Sequence, residues 1–188
     1  MLAYVFWHWR RAPVARERYE ALQRAFHAAL RAAPPPGFLG SRSAAIAGTP
    51  WAAASGEAYE DWYLVEGSAA LDPLNEAAVT ATRQLAHDAA AAAAEGGTAG
   101  LYRLRLGGGE NQGHGVLQAA AWLGKPAGWS YAEFHAALEP LVRETGGVLW
   151  GRQMTLGPAP EFCLQTSRAV RLPEPFVAQA VALRPIWP

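Results

Sequence analysis

Hydrophobic and polar positions alternate, then recur at helical spacing, along the first thirty residues. Residues 2–10 place Tyr4, Phe6 and His8 on one side and Val5, Trp7 and Trp9 on the other. Both sets are apolar or aromatic, which predicts a strand covered on both faces. After Pro13, Tyr19, Leu22, Phe26 and Leu30 recur at intervals of three, four and four, which predicts a helix ended by Pro34-Pro35-Pro36-Gly37. Strands are expected over 38–47 and 58–66, the second with Trp62 and Leu64 opposite Tyr63 and Val65. Asp72-Pro73 has the composition of a helix start, and that helix should run through Leu74, Ala78, Ala81 and Leu85 to a stop at Gly96-Gly97.

The second half replays this order. Residues 100–106 alternate, with Tyr102, Leu104 and Leu106 facing away from Leu101, Arg103 and Arg105. A long loop follows. Ser130 and Glu133 form a capping-box pair before the stripe Tyr131, Phe134, Leu138 and Val142, and Gly146-Gly147 stops that helix. Strands are expected over 148–156 and 161–169, and Pro173-Glu174-Pro175 should open a short last helix through Phe176, Ala180 and Leu183. Phe-His-Ala-Ala-Leu occurs at 26–30 and again at 134–138, and 37–42 reads like 147–152. The expectation is a duplicated β-α-β-β-α unit, residues 1–97 and 98–188, folded as one body. Strands apolar on both faces need two covers, at about 25 cal/mol per Å² of apolar area: helices on one side, the sister sheet on the other.

This order of elements resembles the dimeric α+β barrel superfamily of ferredoxin-like domains. That group includes the antibiotic-biosynthesis monooxygenases, EthD-like proteins and, as fused repeats, the chlorite dismutase group. The resemblance implies an α+β fold of two ferredoxin-like repeats closing an intramolecular, pseudo-dimeric barrel. It also implies cofactor-independent oxygenation or isomerisation of aromatic or polyketide-like compounds. The haem-ligand pattern of the chlorite dismutase group has no match in this chain.

Composition narrows the classes. Of 188 residues 51% are hydrophobic and 17% charged, which excludes disorder and provides for a sizeable core. Sixteen basic residues balance sixteen acidic ones, so no electrostatic case exists for nucleic acid or an anionic membrane. Cys163 is the only cysteine, and the five histidines include no pair three or four apart, so no metal site is expected. No window approaches the roughly 20 apolar residues that span a bilayer, and the apolar-then-basic N-terminus reverses the order of a secretory signal. The expectation is a soluble, cytoplasmic protein, compatible with a homo-oligomer. Nucleotide and hydrolase signatures are missing, including G-x-S-x-G and a phosphate loop.

Candidate chemistry follows from strand faces. His8 among aromatics is the candidate base. Arg103 and Arg105 are expected to point into the barrel, and Arg42 and Arg152 to occupy equal places in the two repeats. Buried guanidinium requires a carboxylate or a bound anion, which points to an acidic aromatic ligand or to structural pairs with residues such as Glu60, Asp61 and Glu161. His114 and Trp122, in or beside the long glycine-rich loop, are expected to border the pocket. His27 and His135 are expected on helix flanks and His87 in solvent. The site is thus expected inside the barrel, with no cofactor. The alternatives are a non-catalytic binder of haem or another acidic ligand, and a purely structural protein.

Overall fold

In the computed structural model, which describes residues 1–52, 57–108, 117–153 and 159–188, the doubly apolar N-terminal run is strand β1 (Leu2–Arg10). It leads through helix α1 (Arg16–Ala32) to β2 (Phe38–Ala47) and β3 (Glu57–Val65). A 3-10 turn, helices α2 (Leu71–Ala78) and α3 (Ala81–Ala93), and the long strand β4 (Ala94–Leu106) follow. Beyond them lie β5 (Ala119–Leu123), α4 (Tyr131–Thr145), β6 (Val148–Arg152), β7 (Phe162–Thr166), β8 (Ala178–Ala182) and β9 (Arg184–Trp187). The fold is mixed α+β on one nine-stranded antiparallel sheet, ordered β8-β5-β7-β6-β4-β1-β3-β2-β9. Only Leu183 separates the two edge strands β8 and β9, so both edges of the sheet meet there.

The strands are apolar on both faces because both faces are covered. Trp7, Trp62, Tyr102, Trp122 and Trp150, from five different strands, share one inner core. On the outer face, α1 and α2 bury Phe26, Leu30 and Leu74 against Leu2, Tyr63 and Val65. Helix α4 buries Phe134, Leu138 and Val142 against Leu149, Phe162 and Leu164. Each fully buried large side chain stabilises by about 1.5–3 kcal/mol relative to exposure. The capping box at Ser130 and Glu133 is formed, and Gly146 ends α4 in the left-handed region at φ 59°. Among the described residues no helix is long and apolar enough to cross a membrane.

Several expectations are corrected. The helix from Asp72 breaks at Val79-Thr80 into α2 and α3, and it ends before Gly96-Gly97, which lie inside β4. Gly97 is required there by packing: a Cβ would sit 2.4 Å from the Phe6 ring and 2.7 Å from the Trp7 carbonyl oxygen. Strand β5 was hidden because Ala-Ala-Ala-Trp-Leu has no alternation of polarity. No helix forms after Pro173 within 173–183. Residues 178–182 and 184–187 are edge strands, whose backbone groups pair with β5 and β2. The second half therefore does not repeat β-α-β-β-α element for element. Finally, Tyr4, Phe6 and His8 face the helices, while Val5 and Trp7 face the inner core.

Candidate functional site

Small side chains on two short helices leave the site open. Helices α2 and α3 lie over β1 and β3, yet near the sheet they and the start of β4 contribute Ala78, Ala90, Ala91 and Ala94. Alanine cannot fill the gap between a helix and a sheet, and a cavity of about 490 Å³ remains. Its walls are aromatic and aliphatic, from Tyr4 and Phe6 of β1, Phe26 and Leu30 of α1, and Leu71 and Leu74 of α2. Exposed Asp72 and Asn75 border it on the α2 side, and His87 of α3 lines it half-buried, its ring 5.5 Å from Phe26. Volume and lining fall within the range of small-molecule sites.

The polar end of the cavity is formed by His8, Tyr19, Gln23, Asp61 and Tyr63. His8 and Asp61 come from adjacent strands, with Phe6 registered against Asp61, so both side chains emerge on the helix side of the sheet. His8 Nδ1 lies 2.6 Å from the Tyr19 hydroxyl. On its other edge, His8 Nε2 is 3.2 Å from Asp61 Oδ2, an ion-pair contact off the line of a straight hydrogen bond. Tyr63 donates to Asp61 Oδ2 at 2.9 Å. A second histidine, His27 of α1, sets Nε2 3.3 Å from Asp61 Oδ1 and Nδ1 2.7 Å from Ser41 Oγ. His8, His27, Tyr19 and Asp61 are all essentially inaccessible to bulk solvent.

Electrostatics fix the charge of Asp61. Burial alone would raise its pKa, but His8 and His27 outweigh that and hold it well below the usual carboxylate range. Burial, reinforced by Asp61, pushes the Tyr63 hydroxyl well up, and burial with Asp61 and Tyr59 also raises Tyr19. Both phenols therefore remain protonated and can act as donors. Among the described residues no arginine or lysine lines the cavity.

Of the catalytic and ligand-binding candidates expected from the sequence, His8 lines this cavity, together with Asp61, expected there as a structural partner, and His87, expected in solvent. Arg103 and Arg105 are exposed, because Tyr102 and Leu104 take the inner side of β4, and Arg103 Nε donates to Gln153 at 3.0 Å. Arg42 does face inward: its Nη2 donates to Gln165 at 3.1 Å, and its guanidinium lies 5.9 Å from the Trp62 ring centre. Arg152 is not its counterpart, since Arg42 sits across from Trp62 in mid-strand, whereas Arg152 ends β6 opposite Tyr102 and donates to the Ala159 carbonyl at 3.0 Å. Trp122 fills the inner core. His114 lies outside the described residues. His27, expected on a helix flank, is fully buried, and His87 is half-buried at the cavity rather than in solvent. Sequence reasoning missed Tyr19, His27 and Tyr63 as polar partners. The available signal was Asp61, an acid in the middle of an otherwise aromatic strand on the face shared with His8. Among the described residues no cluster of His, Cys, Asp and Glu could hold a metal ion.

No family model and no curated relative matches the chain. Solved structures do. A protein of Fusobacterium nucleatum subsp. nucleatum named "putative monooxygenase" superimposes with a TM-score of 0.69 at 10% identity, over 98% of this chain and 92% of that one. An anthrone oxidase-like protein gives a TM-score of 0.48 at 10% identity, over 98% and 93%. At such identity the likeness to the Fusobacterium protein concerns architecture: the chain shares a mixed α+β fold with it along nearly its whole length.

Proposed function

We propose that the cavity between α1–α3 and the sheet binds a flat, neutral aromatic compound, and that the chain oxygenates it with dioxygen and no cofactor. The observation that carries this is the buried Tyr19–His8–Asp61 chain at the polar end of an otherwise apolar cavity. A carbon acid held there gives its proton to the Tyr19 oxygen as the Tyr19 proton passes to His8 Nδ1, and Asp61 holds the imidazolium that results. The substrate carbanion then reduces dioxygen by one electron, the two radicals join as a peroxide anion, and the proton held on His8 returns through Tyr19 to give the hydroperoxide. Loss of water leaves a ketone: the methylene carbon gives up both hydrogens, one oxygen atom of the dioxygen stays on that carbon, and the other departs as water with those hydrogens. The fold shared with a protein named as a monooxygenase is in keeping with this reading. The cavity offers no arginine or lysine to a carboxylate, which favours a neutral or phenolic ligand over the acidic one expected from the sequence.

The architecture is read in the same way as two related halves closing a barrel within one chain. Its support is the sheet order, in which β4-β1-β3-β2 and β8-β5-β7-β6 are the same permutation, with β8 and β9 linking the two edges. On this reading the second half starts at β5 and β4 completes the first.

Binding without catalysis is the competing reading. Haem fits poorly, since both nitrogens of His8 are engaged and no cation lines the cavity for its propionates. Anthrone, a neutral tricycle with an acidic ring methylene, is a suitable probe under air, followed by oxygen uptake and quinone absorbance. Turnover should fall at least about 100-fold in His8→Gln and in Tyr19→Phe, in the range of general-base contributions. Undiminished turnover in both variants would overturn the assignment, and binding with no turnover in the native protein would favour the binding-only reading.

A further inference from the structure

Burying a guanidinium among aromatic side chains is costly unless an acid pairs with it, and Arg42 of β2 forms no ion pair among the described residues. It sits on the inner face of the sheet, across from Trp62. Its single hydrogen bond among the described residues runs from Nη2 to the neutral amide of Gln165 at 3.1 Å. Nε is buried with no acceptor, whereas Nη1 has no hydrogen bond and remains within reach of solvent. Glu60 shares this core, but its Oε1 is taken by Trp62, and its charge acts on Arg42 only from a longer distance. Burial still outweighs it and lowers the Arg42 pKa.

Space adjoins this charge. Gly40, two residues along on the same face and paired with Leu64, could carry a Cβ that meets nothing within 4 Å. Arg42, Leu64 of β3 and Leu104 of β4 are only partly buried, although Trp62, Tyr102 and Trp150 beside them are closed to solvent. Ala3 of β1 pairs with Leu64 on one side and Tyr102 on the other, which brings Leu64 and Leu104 to the same end of the inner core. That end is an opening with apolar sides and one cation, and none of Gly40, Arg42, Leu64 and Leu104 lines the helix-side cavity.

We propose that this opening is a second binding site, for a monocarboxylate with an apolar body: the carboxylate pairs with Arg42 at Nη1, and the body lies against Leu64 and Leu104. A neutral ligand would leave the guanidinium unpaired, and an inorganic anion would leave the leucines uncovered. The site is on the opposite face of β2 and β3 from the helix-side cavity and is independent of the oxygenase reading.

The test is calorimetric titration of the whole chain at neutral pH with sodium octanoate, octan-1-ol and sodium acetate. One octanoate per chain is expected, bound at least about tenfold more tightly than either of the others. No octanoate binding, or octanol binding as tightly, overturns the proposal; acetate binding as tightly reduces the site to an adventitious ion only and overturns it too. Arg42→Gln should weaken octanoate at least about tenfold. Leu64→Glu, diagonal to Arg42 across the β2–β3 pair, offers the guanidinium a carboxylate from the chain itself and should abolish octanoate binding, with the fold checked by near-ultraviolet circular dichroism. Undiminished binding in either folded variant counts against the site. Ala90→Leu, which fills the helix-side cavity, should leave octanoate binding unchanged, and loss of binding there would move the ligand to that cavity and refute this one. None of these readings depends on turnover, so its absence would sink the oxygenase reading alone.

Discussion

Glu60, next to Asp61 in β3, points the opposite way and should make the protein less stable as pH rises through neutrality. Its side chain is wholly within the inner core, where Trp62 Nε1 donates to Oε1 at 3.0 Å and Oε2 has no partner. Burial raises its pKa from 4.5 to about 7, against the lowering effects of the Trp62 and Trp7 indoles and of Arg42. Between those values the folded chain holds a proton that the unfolded chain has released, so stability falls as pH increases. The fall begins near the unfolded value and levels off above the folded one. At about 1.4 kcal/mol per pKa unit, this amounts to roughly 2–3 kcal/mol between about pH 5 and pH 8. Glu60→Gln keeps an acceptor for Trp62 and cannot titrate. Urea unfolding of both proteins across that range gives the comparison. The variant should gain on the native protein by about that amount as pH rises, whatever it loses at every pH through Arg42. A stability difference constant within about 0.5 kcal/mol across the range would refute a buried, titrating Glu60.

Asp61 has the opposite sign, its stabilisation being present above the unfolded pKa and lost as pH falls through the depressed folded one, so Asp61→Asn should flatten the acid arm of the stability curve. Because it leaves two buried histidines facing an amide, it should also cost about 3–5 kcal/mol at neutral pH by chemical denaturation. Ala90→Leu extends a buried side chain into the cavity and should weaken binding of an aromatic probe at least about tenfold by fluorescence titration, with Tm unchanged or raised. Gly97→Ala forces a methyl into the Phe6 ring and the Trp7 carbonyl and should lower stability by about 1–3 kcal/mol in the same unfolding assay.

The elements legible in the sequence were those with strong local signals. The stripe of α1, the capping box of α4 and the two-faced apolar runs of β1 and β3 each state their structure within ten or so residues. The segments that misled depend on partners far along the chain. Residues 178–187 look like a helix start after Pro173-Glu174-Pro175, yet their backbone groups are taken by β5 and β2. His8 was legible as a candidate because it is a histidine among aromatics. Its setting was not, because alternation separates two faces without saying which is inner. With Trp7 and Trp62 on one face, bulk decides: indoles from four strands and Tyr102 from a fifth fill the inner core, and the set with His8 and Asp61 is left for the helices. The arginines misled for the same reason, since Arg103 and Arg105 follow from the side taken by Tyr102.

On the proposed reading of two related halves, matched by sheet order, the candidate site has a physical reason to lie on one side alone. Trp7 pairs with Glu60 across β1 and β3 as Trp122 pairs with Cys163 across β5 and β7, so Asp61 corresponds to Leu164. Ser43, opposite Asp61, corresponds to Leu149, opposite Leu164. Both leucines are fully buried beneath α4, where the first half has a carboxylate. Cover differs as well. No helix comparable to α2 and α3 follows β7; instead Val170, Leu172 and Phe176 pack onto the same core with large side chains. His135 holds the place of His27 in the shared pentapeptide, but its Nε2 is buried without a partner, and burial followed by Arg105 lowers its pKa. The proposed site therefore rests on two coupled differences, a carboxylate in the third strand and alanines in the helices above it, neither of which makes a site without the other.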